Sequence, residues 1–166
     1  MLPRADIVVV NDRTLDAHAT LVALEQVAPR ARVLHLDSGG EALEYLFSVG
    51  TFAGQGPVMP RLVLLSCEMN VISGLCVLDL MRAHPLTCDI PVVLLSLEGN
   101  PRKYRRHDGF DADAYLVEPC DFRRYCAVIE GCVGRWLPWA LRPGGLPRHR
   151  PHRELKALQP VCVVES

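Results

Sequence analysis

The chain has 166 residues, enough for one domain with a single good core. Its 49% hydrophobic and 22% charged content is that of an ordinary soluble globular protein, and a net charge of -1 gives no global pull toward nucleic acid or anionic membrane. No apolar run approaches the ~20 residues of a membrane span, and the opening MLPRADIVVV reaches an acid before its short apolar run, against a secretory signal.

Residues 6–10 (DIVVV) read as a short buried strand that ends in the polar turn Asn11-Asp12-Arg13. A helix follows that buries Ala17, Leu21, Leu24 and Ala28 at helical spacing. Residues 31–37 form a second strand. Ser38-Gly39-Gly40-Glu41 then has capping-box form and opens a helix with apolar pairs Ala42, Leu43, Leu46 and Phe47. Residues 50–60, rich in glycine and proline, read as a loop.

The chain is organised around residues 62–75, LVLLSCEMNVISGL. Leu62, Val63, Leu64 and Leu65 read as a strand buried on both faces. A polar loop follows, and Ser73 caps a helix that buries Val77, Leu78 and Met81 and stops at His84-Pro85. Such a strand delivers its last residue, here Ser66, into the crevice where open α/β folds place their sites.

Residues 90–95 (IPVVLL) form another buried strand, ending at Ser96. Asn100-Pro101 signals a further helix start, and the basic stretch 102–106 behind it reads as a solvated face, so nucleic-acid contact is not expected. Residues 114–117 make a fifth strand leading to Glu118-Pro119. Asp121 caps a last helix with Phe122, Cys126, Ile129 and Val133 on its core face. A second apolar face of that helix, Tyr125, Val128, Cys132 and Trp136, calls for a cover of its own.

Five alternations of strand and helix imply a doubly wound five-stranded parallel sheet with right-handed crossovers, in the flavodoxin-like order. Residues 1–137 are read as the domain and 138–166 as a C-terminal extension. Within the extension, residues 142–153 (RPGGLPRHRPHR) form a linker holding His149 and His152, and 160–164 (PVCVV) an arm able to dock at home or on a partner. Seven cysteines without paired metal spacing fit free thiols in a reducing cytoplasm.

LVLLSCEMNVISGL resembles the central strand, active loop and third helix of a bacterial response-regulator receiver domain. The resemblance runs over residues 7–137, and the spacing supports it: Ser96 follows Ser66 by 30 residues and Glu118 follows Ser96 by 22. It implies a CheY-like fold. The loop at residues 50–60 and the Trp136-Leu137 ending are most similar to small single-domain regulators that partner bacterial phytochromes.

A working receiver carries an acidic pair after the first strand for Mg²⁺, an aspartate that accepts the phosphoryl group, a Ser or Thr ending the fourth strand and a lysine ending the fifth. Carried over, the acidic pair becomes Asn11-Asp12, the phosphoacceptor Ser66, the hydroxyl Ser96 and the lysine Glu118. Tyr115 keeps the switch aromatic, and Glu68 takes the position whose backbone carbonyl helps hold the metal. Singly, each residue has a plain reading: Ser66 as a small polar strand end, Ser96 as a capping hydroxyl, Glu118 as a solvated acid and Tyr115 as packing. Together, the three losses at Asn11, Ser66 and Glu118 imply a degenerate pocket. A serine hydroxyl needs a base to become a nucleophile, and Glu118 repels an incoming phosphate.

The expected molecule is therefore a cytoplasmic pseudo-receiver, not an enzyme, with Mg²⁺ binding weak or lost. It acts on a histidine kinase, another signalling protein or itself, and a homodimer, or docking of the arm at 160–164, is expected to cover the second face of the last helix. The alternative is a conventional phosphorelay regulator that takes phosphate at a neighbouring acid such as Glu68. An enzyme using Ser66 or Cys67 as nucleophile lacks the G-x-S-x-G setting and an evident base. Asp12, Glu68 and Glu118 are expected to converge on one crevice and raise one another's pKa.

Overall fold

The computed structural model describes residues 4–56, 58–97 and 112–144. The runs of branched apolar residues fold as strands β1 (Ile7–Val10), β2 (Val33–Leu36), β3 (Leu62–Ser66), β4 (Val92–Ser96) and β5 (Ala114–Val117). All pair in parallel in the order β2-β1-β3-β4-β5, the flavodoxin-like arrangement that the alternation of elements predicts. Every residue of β1, β3 and β4 is buried, because helices cover both faces of the sheet.

The period of two along the strands sorts the core into two layers. Val8, Val10, Val63, Leu65, Val92, Leu94 and Tyr115 pack beneath helices α2 (Gly39–Phe47) and α3 (Gly74–Ala83). Ile7, Val9, Leu62, Leu64, Val93, Leu95 and Leu116 pack beneath α1 (Thr14–Val27) and α4 (Phe122–Trp136). The caps read from the sequence form: Ser38, Ser73 and Asp121 accept from the backbone N–H of Glu41, Cys76 and Arg124. In return, the Glu41 carboxylate accepts from the N–H of Asp37. Gly74 is required where α3 meets the end of β3, since a Cβ there would lie 2.0 Å from the Ser66 carbonyl oxygen.

Several expectations change. Leu21 of α1 and Leu43 and Phe47 of α2 are half-buried, while Tyr45 is buried in their place. Phe122, assigned to the core face of α4, is 38% exposed at the first position of that helix. The face Tyr125, Val128, Cys132 and Trp136 is not open for a second copy. Its first three residues are buried in the α1/α4 core layer, and Trp136 packs against that layer with the Arg135 guanidinium 5.0 Å from its ring. The helix is apolar on two sides because one side meets the sheet and the other meets α1 and the chain that follows it.

That following chain also moves the domain boundary. Pro138–Ala140 forms a short 3-10 turn, Ala140 is fully buried, and the Arg142 N–H donates to the Val27 carbonyl at the end of α1. The packed unit therefore runs past Leu137. The basic stretch 102–106, the helix start at 100–101, His149, His152 and the arm at 160–164 lie outside the described residues. Among the described residues the six cysteines are free, and no helix is long and apolar enough to cross a membrane.

Candidate functional site

β1, β3, β4 and β5 all release their chains at one end of the sheet, and the predicted site residues gather there. The β1–α1 turn carries Asn11, whose buried side chain accepts from the Arg13 N–H at 2.9 Å through Oδ1. The His35 Nε2 lies 2.9 Å from the Asn11 carbonyl oxygen. Asn11 Nδ2 is buried without a partner among the described residues. Asp12 reaches across to the β3–α3 loop, where Oδ2 accepts from the backbone N–H and the Nδ2 of Asn70 at 2.7 and 2.9 Å. Asp12, Arg13, Glu68, Met69 and Asn70 line an open depression of about 280 Å³.

Ser66 ends β3 with its side chain turned inward, only 4% exposed. Its hydroxyl donates to the Glu68 carbonyl at 3.3 Å. Ser96 ends β4, 1% exposed, and its hydroxyl donates to Glu68 Oε1 at 2.6 Å. Tyr115 sits in the core on the α2/α3 side, in register with Leu94 of β4.

Glu118 follows β5, its N–H donating to the Ser96 carbonyl. Burial is the main cause that pushes its carboxyl from the ordinary 4.5 up to about 7; Asp16 and then Glu68 add to the rise, and Arg13 opposes it. The expected convergence is thus rearranged. Asp12 and Glu68 share the rim, but the acid acting most strongly on Glu118 is Asp16 of α1, and desolvation outweighs both neighbours.

Sequence reasoning missed Asp16, Asn70 and the buried pair Thr20–Tyr125, whose oxygens are 2.6 Å apart. Asp16 could have been found: it lies on α1 four residues after Asp12, one helical turn on from the crevice. Cys67, buried behind Ser66, has its thiol pushed well above the ordinary range by burial first and then by Glu68 and Glu118, so it stays protonated and unreactive.

The donor set suits Mg²⁺ poorly. One acid of the first-strand pair is the amide Asn11, Asp12 spends one oxygen on Asn70, and the Glu68 carbonyl already accepts from Ser66. Among the described residues no group of three His, Cys, Asp or Glu side chains is placed to hold a metal ion.

No family model matches the sequence. The chain is 31% identical over 140 residues to a probable methanogenesis regulatory protein, FilR2, of Methanothrix harundinacea, covering 83% of this chain and 87% of that protein. Among solved structures it is similar to the phosphorylated cyanobacterial phytochrome response regulator RcpA, with a TM-score of 0.69 and 25% identity over 84% of this chain and 99% of that one. It is also similar to the bacteriophytochrome response regulator RtBRR, with a TM-score of 0.68 and 26% identity over 95% of this chain and 90% of that one.

Proposed function

The chain belongs to the response-regulator receiver family of two-component signalling, and from that premise we propose that it is a pseudo-receiver, signalling by protein contact without aspartyl phosphorylation. The observation that carries this reading is Ser66. It stands at the end of the central strand, buried, and its proton goes to a backbone carbonyl rather than to a base that could activate it. The half-buried Glu118 supports the reading, since it brings a carboxyl to the position where a cation would neutralise an incoming phosphate.

The protein is not an enzyme on this reading, and it needs no Mg²⁺. Its partners are other signalling proteins, a histidine kinase among them. It works in the cytoplasm, where a kinase and free thiols are at home.

The test is incubation with a small-molecule phosphodonor and Mg²⁺ followed by intact-mass measurement. The expected mass is unchanged. A stoichiometric gain of one phosphoryl group would overturn the proposal, and mapping it to Glu68 would establish the conventional phosphorelay reading.

A further inference from the structure

Both strand-ending serines of the crevice turn to one residue. Ser66 donates to the backbone carbonyl of Glu68, and Ser96 donates to its carboxylate. The second bond, at 2.6 Å, has the length of a charge-assisted O–H···O⁻ contact, roughly twice as strong as a neutral one. It is shielded from water on the serine side, where Ser96 is 1% exposed.

Strand alternation shows where this bond acts. Ser96 lies two residues beyond Leu94, on the sheet face that also carries Tyr115 and supports α3. Glu68 belongs to the loop that leads into α3, so its carboxylate fastens that loop to the end of β4. Two residues on, Asn70 fastens the same loop to the β1–α1 turn through both bonds to Asp12. Between these attachments and α3 stands Val71, 100% exposed. The loop is tied to both neighbouring strand ends while it presents its tip to solvent.

We propose that Glu68 is a built-in anion that locks the β3–α3 loop onto Ser96, so that the rim of the crevice is held in one conformation with no external ligand. The inference rests on the pseudo-receiver reading and names how that site is regulated: its output rim is set permanently, not switched. Removing the carboxylate's charge or the serine's hydroxyl releases the same attachment, so the two changes should not add.

Amide hydrogen exchange on the full chain tests this through residues 67–73. Glu68→Gln and Ser96→Ala should each speed exchange there by about tenfold, and the double variant should exchange no faster than either. Val71→Ala, a change at the fully exposed tip, is the control and should leave the rates alone. Unchanged rates in both single variants, or effects that multiply in the double variant, overturn the lock. Circular dichroism of each variant separates release of the loop from loss of the fold; if Ser96→Ala unfolds, Ser96→Cys, which keeps a weak donor, should exchange at an intermediate rate, and a rate equal to wild type overturns the lock. The phosphodonor experiment distinguishes the two proposals. A mass gain removes the pseudo-receiver reading whatever the exchange rates, whereas no gain with unchanged rates removes the lock alone.

Discussion

The two ends of the sheet treat their acids in opposite ways. At the end where the strands begin, Asp6 meets Arg32 in a two-pronged contact of 3.0 Å on each oxygen, and its carboxyl is held below the usual range chiefly by that bond. Asp113, one residue before β5, meets Arg82 at 2.9 Å and also accepts from the Val92 N–H that opens β4. At the end where the strands finish, Glu118 is pushed up to about 7 by burial and by Asp16 and Glu68. One end uses arginines to fasten strand starts. The other keeps the Glu118 carboxyl away from water at a cost to stability, the kind of perturbed group that clusters at functional sites.

Breaking the stabilising end should have the largest effect. Arg82 is half-buried, and its guanidinium donates to the carbonyls of Cys88 and Ile90 as well as to Asp113. Arg82→Ala strands the two carbonyls and removes the ion pair to Asp113, whose carboxylate keeps the Val92 N–H. The expected loss is about 3 kcal/mol, on the order of 10 °C in melting temperature. A loss under about 1 kcal/mol in thermal or urea melts would erase the contrast between the ends.

At the opposite end the sign reverses. The folded state holds the Glu118 proton more tightly than the unfolded chain does, since its pKa rises from 4.5 to about 7. Stability from this group is complete below pH 4.5 and is lost as pH rises through 7. Asp6, whose folded pKa lies below 3.8, contributes stability above that value and loses it as pH falls further. Glu118→Gln removes the first effect and leaves the second. Its stability should exceed wild type at pH 8 by about 1–3 kcal/mol, the upper figure being the full shift before screening by water at a half-buried group. The gap should close as pH approaches 4.5. A variant no more stable than wild type at pH 8 would show that the Glu118 carboxyl escapes to solvent.

The sheet was legible because its signals are local. Runs such as LVLL and VVLL mark strands buried on both faces, and Ser38, Ser73 and Asp121 cap helices through neighbours three residues on. The identity and spacing of Asn11, Asp12, Ser66, Ser96 and Glu118 placed the crevice for the same reason: parallel strands all finish on one side. What escaped the sequence depends on distant partners. Tyr125 and Thr20 lie 105 residues apart, and nothing near Tyr125 says that α1 will cover it. The Arg82–Asp113 contact, across 31 residues, was invisible for that reason as well. Glu68 lines the rim, but its hold on Ser96 follows from a side-chain reach that spacing does not encode.

The smallest effect belongs to the contact beside Glu118 that joins α1 to α4. Thr20 donates its one hydroxyl proton to the Asp16 carbonyl at 3.0 Å, so in the 2.6 Å contact the Tyr125 hydroxyl is the donor. Tyr125→Phe deletes that donor and leaves Thr20 with its own bond intact, so it should cost only about 1 kcal/mol. Thr20→Val removes the acceptor instead and leaves the Tyr125 hydroxyl buried without a partner, which should cost about 2 kcal/mol. Light scattering should give one mass for wild type and both variants, because Tyr125 faces α1 within the same chain. If either substitution changed the mass without lowering stability, the face would be meeting a second copy, and the crevice end would owe its shape to a partner rather than to α1.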